Sequence, residues 1–360
     1  MTVNRNRLLE RFLNLVCVDS ESGSEAEVRQ FILDQLAPFD FSSELDKKGN
    51  LIVHINGTRK GPTLLLSAHM DTVKPGRGVK PIVTGDVITS DGTTILGGDD
   101  KSGIAEILEA LFVLKETGST YPPLVLAFSV EEEIGVQGVR ELAGLKADFG
   151  FVLDTDGPIG TVVTQAPSHE KFTVHIKGKA AHAGIEPENG INAIVAASKA
   201  IAALPLGRID DETVSNIGII TGGVATNIVP AEVIVQGEAR SHTDEKLTYL
   251  IEKIKAIFHR EVRAVGAEVS FTSSREYNHF NISSNKAIID LCTRAAKRTD
   301  VPLLIKATGG GSDANYFNVF GIPTVVIASG MSKVHTLEET IKISDMVKAT
   351  EFLLGVIEAE

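Results

Sequence analysis

The chain has few cysteines, no tryptophan and no long apolar run. Among its 360 residues there are two cysteines, Cys17 and Cys292. Two cysteines exclude the disulfide framework of a small secreted domain and a zinc site built from thiolates. No apolar run reaches the roughly 18 residues of a membrane-spanning helix. The N-terminal segment is amphipathic and contains Glu10, which is not typical of a signal peptide. A cytoplasmic location is therefore predicted.

The chain also lacks an excess of positive charge. It carries 35 Lys+Arg against 47 Asp+Glu, which gives a formal net charge of −12 at pH 7. Nucleic acids and anionic membranes are bound through clustered Lys and Arg side chains. Neither is an expected partner of this chain. Part of the surplus of carboxylates could instead serve to hold cations.

Four short apolar runs predict buried strands of an α/β sheet. They cover residues 63–67, 124–128, 149–153 and 324–328, and their composition is typical of strands that are covered on both faces. Each run is followed by a polar cluster: AHMD, SVEEE, DTDG or SGMSKVH. Ligands of open α/β sheets bind outside the carboxyl ends of the strands. We therefore expect these four clusters to lie at one edge of the sheet.

Two helix signals accompany these strands. Ser24 and Glu27 have the spacing of an S-x-x-E capping box before the apolar residues of a helix. After Ser102, apolar residues recur at helical spacing. A helix is thus expected directly after the GGDD segment.

Residues 166–278 follow a different pattern and predict a second domain. The pattern gives strand 171–177, helix 191–204, strands 215–221 and 232–239, helix 244–265 and strand 268–272. This βαββαβ order is that of a ferredoxin-like, two-layer domain with its own core. Strand signals of the first domain resume near residue 302. We predict a discontinuous α/β catalytic domain with a mixed sheet, residues 1–165 and 279–360, interrupted by a lid domain, residues 166–278.

The polar clusters contain imidazoles and carboxylates, which are donors that suit Zn, Mn and Co. Each has an ordinary explanation when taken alone: Asp99 or Asp100, for example, could cap the following helix. Three adjacent glutamates, residues 131–133, would repel one another after a buried strand unless a cation is present, although most charge runs are solvated. The chain has no Gly-x-Ser-x-Gly elbow and no Walker loop. Together, the clusters predict a metal site.

Seven segments resemble, in order, the peptidase T branch of the dinuclear zinc aminopeptidase and carboxypeptidase family. They are AHMDTV, SDGTTILGGDDKSGIAEIL, SVEEEIG, KGKAAHAGIEPENGINAI, TNIVPAEVIVQGEAR, GGGSDANYFN and SKVHTLEE. The resemblance implies a metallopeptidase that hydrolyses short peptides through a metal-activated water. A deacylase of N-acyl amino acids is the alternative enzyme, and a non-catalytic binding protein of the same fold is the alternative from another class.

The resemblance also implies individual roles. It implies five ligands of two ions, zinc or else cobalt or manganese: His69, Asp99, Glu133, Asp154 and His335. Glu132 would be the general base, and Asp71 would orient the ligands as a second catalytic residue. By the same resemblance, Asp99 bridges the two ions and its peptide bond to Asp100 is cis.

The implied roles extend to the inserted domain. His182 would stabilise the developing oxyanion, Arg240 would hold a substrate carboxylate, and Asn227 would supply a further polar contact. A small peptide or amide is the implied substrate. A homodimer through the lid is also implied, with His182 acting in cis or in trans.

The chain departs from peptidase T at two places. The segment Asp154-Thr155-Asp156-Gly157 offers two aspartates where peptidase T has one. Asp156 is therefore an alternative ligand, but we favour Asp154 because it directly ends the apolar strand. Peptidase T also has an arginine before its Gly-Gly-Thr-Asp motif, and the corresponding residues 308–313, TGGGSD, contain none.

Overall fold

The chain divides into two compact units in a computed structural model, which describes residues 2–359. The first unit consists of Met1–Gln165 and Phe280–Glu360, and the second of Ala166–His279. The inserted domain predicted from the sequence ends one residue earlier, at residue 278. Each unit has a hydrophobic core of its own.

Eight α-helices lie within the described residues: α1 (Arg5–Val16), α2 (Ala26–Leu36), α3 (Gly98–Thr117), α4 (Ala193–Ala202), α5 (Asp244–Ala264), α6 (Lys286–Thr299), α7 (Asp313–Val319) and α8 (Ile343–Ile357). None of these helices is both long enough and apolar enough to cross a membrane. The predicted capping box at Ser24 is wrong, because α2 begins at Ala26 and its N-cap is Glu25. The Glu25 carboxylate accepts hydrogen bonds from the backbone N–H groups of Gly23 and Glu131 instead.

The strands are β1 (Phe41–Leu45), β2 (Leu51–Ile55), β3 (Leu64–His69), β4 (Ile82–Thr84), β5 (Val87–Thr89), β6 (Leu124–Ser129), β7 (Phe149–Thr155), β8 (Thr161–Ala166), β9 (Ser168–Lys177), β10 (Gly207–Arg208), β11 (Thr213–Gly222), β12 (Glu232–Ser241), β13 (Glu268–Tyr277), β14 (Phe280–Asn281), β15 (Leu304–Ala307), β16 (Thr324–Ala328), β17 (Met331–Ser332) and β18 (Thr340–Lys342). The four predicted core strands correspond to β3, β6, β7 and β16. Their bounds differ from the prediction by at most two residues.

The main sheet of the first unit has the order β1-β2-β6-β3-β7-β16-β8-β14, and β15 pairs with β8. Its four central strands, β6, β3, β7 and β16, run parallel to one another. The flanking β1–β2, β2–β6 and β16–β8 pairs are antiparallel. The predicted mixed α/β sheet is therefore confirmed. Because the central strands are parallel, all four end at the same edge of the sheet.

Helix α3 connects this edge of the sheet to the core. Nearly all its side chains are buried, as expected for a helix that is covered on every side. Its apolar residues, such as Ile104 and Leu108, belong to the same core as Leu66 of β3 and Phe352 of α8. The first turn of α3 carries Asp99 and Asp100. These two aspartates are thus held by one of the most deeply buried elements of the unit.

The second unit contains all six predicted elements, in the predicted βαββαβ order, and one additional short strand, β10. Its sheet has the order β10-β11-β12-β9-β13, and every pairing within it is antiparallel. Its core is formed by apolar residues of the sheet and of α4 and α5, including Val174, Val235, Ala197 and Phe258. The unit therefore buries its own apolar side chains.

The chain passes between the two units at two neighbouring places. In the first unit, β8 and β14 are adjacent strands, and the N–H of Ile282 donates to the carbonyl of Thr164 at 2.9 Å. In the second unit, the N–H of His279 donates to Ser168 Oγ at 2.6 Å. The entry to the insertion and the exit from it thus lie side by side.

Candidate active site

The structure brings the five predicted ligands together at the carboxyl edge of the main sheet. They divide into two groups. His69, Asp99 and Asp154 each offer a ligand atom within 4.8 Å of the others, and Asp99, Glu133 and His335 do the same. Asp99 belongs to both groups. Imidazole nitrogens and carboxylate oxygens are the donors that zinc and similar divalent ions accept.

The Asp99 carboxylate lies between the two histidines. Its Oδ1 is 2.9 Å from His69 Nε2, and its Oδ2 is 3.1 Å from His335 Nε2. His335 Nε2 is also 3.0 Å from Glu133 Oε2. The peptide bond between Asp99 and Asp100 is cis, which confirms the prediction. A single carboxylate thus links side chains from β3 and from the loop after β17.

The pKa shifts at this edge reflect crowded carboxylates. Burial acts to raise the pKa of Asp99, but hydrogen bonds with His335 and His69 hold that pKa below its usual value. Burial and the neighbouring Asp99 charge raise the pKa of Asp154 well above its ordinary value. Hydrogen bonds to Asp99 and Glu133 raise the pKa of His335 to about 10. Such a surplus of negative charge away from water is what bound cations would neutralise, so the residues present fit a divalent metal.

Asp100 does not belong to either ligand group. Its Oδ2 accepts a hydrogen bond from the backbone N–H of His69 at 3.3 Å, and its Oδ1 accepts one from Gly103 at 3.2 Å. Burial raises the pKa of Asp100 well above its ordinary value. Of the two adjacent aspartates, Asp99 faces the histidines and Asp100 ties the first turn of α3 to the end of β3.

Asp71 is fully buried and fixes the turn that carries the glutamates. Its carboxylate accepts hydrogen bonds from the Ser22 hydroxyl at 2.7 Å and from the backbone N–H groups of Glu132 and Glu133 at 2.9 and 3.2 Å. The Asp71 backbone carbonyl lies 2.9 Å from His69 Nδ1. A contact of this kind on the second ring nitrogen orients a histidine ligand. Asp71 thus positions both His69 and the glutamate turn.

The three adjacent glutamates have different partners. Glu131 has a positive φ of 52° and forms an ion pair with Lys48. Glu133 contacts His335. Glu132 is buried, and this burial raises the pKa of its carboxyl group well above the ordinary value. Only Glu131 is thus drawn away from the other two: Glu132 and Glu133 line the same cavity, and the Glu133 charge helps to raise the pKa of Glu132.

Glu339 is a structural part of the site that the sequence did not single out. Its carboxylate accepts hydrogen bonds from the N–H groups of Leu96 and Gly97, each at 2.8 Å, and of Asp99 at 3.1 Å. The residue is 1% exposed. These three bonds hold the loop that presents Asp99. The only signal in the sequence is the pair Glu338-Glu339 shortly after His335.

The alternative ligand Asp156 lies outside both ligand groups. Its side chain is 66% exposed, and its Oδ1 lies 3.6 Å from Lys306 Nζ. It nevertheless lines a cavity of about 160 Å³ together with Asp99, Glu132 and His335. A larger cavity of about 930 Å³ also has Asp156 in its wall but none of the five predicted ligands.

The three candidates for substrate binding belong to the second unit, and the ligand cluster belongs to the first. His182 is exposed, and its Nδ1 accepts a hydrogen bond from the N–H of Gly184 at 3.2 Å. Asn227 is also exposed, and its backbone carbonyl accepts from Ala183. Arg240 is partly buried and donates to Glu238 at 3.2 Å and to the Tyr277 hydroxyl at 3.3 Å.

The first unit has an α/β sheet with imidazole and carboxylate donors at its carboxyl edge, and an α+β unit is inserted into its sequence. This combination fits the class of metal-dependent hydrolases. The profile of peptidase family M20/M25/M40 matches residues 65–359. The chain therefore belongs to the peptidase family M20/M25/M40. This membership confirms the predicted class of enzyme, a hydrolase of the peptidase type.

Three relatives are similar over nearly their whole length. The uncharacterized protein YqjE of Bacillus subtilis is 40% identical over 99% of both chains. A crystal structure of a tripeptidase from Staphylococcus aureus matches with a TM-score of 0.95, 36% identity and 99% coverage of both chains. A crystal structure of the aminopeptidase PepT from Bacillus cereus matches with a TM-score of 0.89 and 38% identity, over 99% of this chain and 98% of that one.

Proposed function

We propose that the chain is an aminopeptidase that removes the N-terminal residue from short peptides, tripeptides among them. The observation that carries this proposal is the pair of ligand groups that share Asp99, because a shared carboxylate is suited to two adjacent cations. The similarity to a tripeptidase and to an aminopeptidase supports the substrate class.

We assign His69 and Asp154 to one divalent cation, Glu133 and His335 to the other, and Asp99 to both. Zinc suits this mixture of imidazole and carboxylate, and cobalt or manganese could replace it. Such cations supply Lewis acidity, which polarises a carbonyl group and lowers the pKa of water. Glu339 supports this arrangement through its hydrogen bond to the backbone N–H of Asp99.

Glu132 is the proposed general base. It lines the same cavity as the ligand groups but belongs to neither, so its carboxylate remains able to accept a proton. In the proposed reaction, Glu132 takes the proton of the attacking water and then delivers it to the leaving amine. Asp71 holds the backbone N–H of Glu132 and thereby positions this base.

The inserted unit supplies the proposed contacts to the rest of the substrate. We assign Arg240 to a substrate carboxylate, which a guanidinium group suits well. His182 and Asn227, both exposed, are assigned to the oxyanion and to a further polar contact. Ile219, Ile220 and Val224 are exposed apolar residues of the same unit, and they support a homodimer formed through it.

The experiment that tests this function is a substrate panel with controlled metal content. The protein is stripped with a chelator, reloaded with zinc, manganese or cobalt, and assayed against di- and tripeptides and against N-acyl amino acids. We expect the stripped protein to be inactive and the reloaded protein to release the N-terminal amino acid of tripeptides. Hydrolysis of N-acyl amino acids alone would establish the deacylase alternative, and full activity after stripping would refute the metal site.

A further inference from the structure

The cavity beside the ligand cluster contains one carboxylate that the proposed mechanism does not use. Among the described residues that line this cavity, the acidic ones are Asp99, Glu132, Glu133, Asp154 and Asp156. The first four are assigned to the cations or to proton transfer. Asp156 remains without a role in the reaction, although it faces the same space.

Asp156 lies close to the ligand Asp154 because of its place in the fold. It directly follows β7, and it is two residues beyond Asp154. In an extended chain, positions i and i+2 face the same side and lie about 6.6 Å apart. Both aspartates accordingly line the same cavity. A ligand group held near Asp154 is therefore within reach of Asp156.

The carboxylate of Asp156 also retains the capacity to accept hydrogen bonds. Its contact with Lys306 Nζ is 3.6 Å long, which exceeds the length of a normal hydrogen bond. The two side chains are 66% and 34% exposed, and ion pairs as exposed as this one are weak. A cationic group of a substrate could thus bind to Asp156 without displacing a strong partner.

An aminopeptidase substrate brings such a cation to this place. Its α-ammonium group is two bonds from the scissile carbonyl carbon, and standard bond lengths put it about 2.5 Å away. A carboxylate is the side chain that accepts the strongest hydrogen bonds from an ammonium group. On the basis of the proposed function, we propose that Asp156 binds the α-ammonium group of the peptide and makes the enzyme select free N-termini over N-acylated ones.

The test compares a tripeptide with its N-acetylated form as substrates of the zinc-loaded protein. In Asp156→Asn, which keeps the size of the side chain but removes its charge, kcat/KM for the free tripeptide is expected to fall about 10- to 100-fold, the range for loss of a charge-assisted hydrogen bond. kcat/KM for the acetylated peptide and the bound zinc should not change. Asp156→Glu should retain most of the preference for the free peptide.

The matched control is Lys306→Gln, which removes the cation beside Asp156 but keeps the carboxylate. The preference for the free tripeptide should be retained in this variant or increased. Three results would overturn the inference while leaving the hydrolysis of tripeptides by the wild type intact. Asp156→Asn could keep the preference for the free tripeptide, Asp156→Asn could lose zinc, or Lys306→Gln could show the same loss of preference as Asp156→Asn. A wild-type protein that prefers the acetylated substrate would overturn both this inference and the proposed function.

Discussion

The two units present their candidate residues to different surroundings. At the sheet edge of the first unit, His69, Asp99 and Glu132 are all buried, whereas His182 and Asn227 of the second unit are exposed. Burying a polar group costs free energy unless a partner compensates for it. Several polar clusters that follow buried strands of one sheet therefore indicate function when they are taken together. Exposed polar residues are the ordinary surface of a protein and indicate function only through resemblance.

The contrast between buried and exposed candidate residues is tested most strongly at buried Glu132, where we expect the largest loss of activity. Replacing buried Glu132 by Gln should lower kcat by about 10²–10⁴-fold, the usual contribution of a general base, and should leave the metal content unchanged. Glu131→Gln is the matched control, because Glu131 pairs with Lys48 and does not line the cavity that contains Glu132. Steady-state kinetics together with metal analysis measures both effects. Wild-type turnover in Glu132→Gln would remove Glu132 from the mechanism.

A smaller effect, on metal affinity, is expected at the adjacent residues Glu338 and Glu339. In Glu339→Gln, an amide NH₂ would replace one of the two oxygens that accept backbone N–H groups from the Asp99 loop. Changing such an outer contact typically costs about 10–100-fold in metal affinity, and we expect a loss of this size by zinc titration. Glu338→Gln should bind zinc normally, because Glu338 is exposed and pairs with Lys333. Equal affinities in the two variants would contradict the supporting role of Glu339.

The smallest effect concerns the dependence of the second unit's stability on pH. His169 Nε2, which lies 2.9 Å from Glu238 Oε2, and Arg240 together lower the pKa of Glu238 to about 2, against the opposing effect of its burial. Because the folded-state pKa lies below the ordinary value of 4.5, this stabilisation is present above pH 4.5 and is lost as the pH falls toward 2.

Urea unfolding of the wild type and of Glu238→Gln at pH 7 and at pH 3 measures this difference. The variant should be less stable than the wild type at pH 7, and the gap should narrow at pH 3. Glu268→Gln, at an exposed position of β13 in the same unit, is the control and should behave like the wild type at both pH values. A gap that does not change with pH would rule out the ionised Glu238 as its source.

Much of the fold was predictable because its elements follow simple periodicity. Strand β16 has the predicted bounds, and helix α5 ends one residue earlier than predicted. The start of α2 was not predictable from local spacing. Glu25 forms long-range contacts with the turn at Glu131, and a short sequence pattern contains no information about such a contact.

The site was predictable in its residue types but not in every position. The sequence left Asp154 and Asp156 as alternatives, because both follow the same apolar run. Tertiary packing places Asp154 beside His69 and Asp99 and leaves Asp156 beside Lys306. In the same way, only packing against the Asp99 loop distinguishes Glu339 from Glu338. Adjacent residues of one type cannot be ranked until the fold determines which of them is buried.

The neighbouring entry and exit of the insertion have a consequence for folding. The second unit is a long insertion in the sequence of the first unit, and the two ends of this insertion must come together at the adjacent strands β8 and β14. Closing an unfolded loop costs more entropy as the loop becomes longer. Once the second unit has folded, Ser168 and His279 are already hydrogen-bonded, so most of that cost has been met before β14 joins the sheet. We therefore expect pulse-labelling hydrogen exchange to find the amides of β9, β12 and β13 protected before those of β8 and β14, and the reverse order would contradict this.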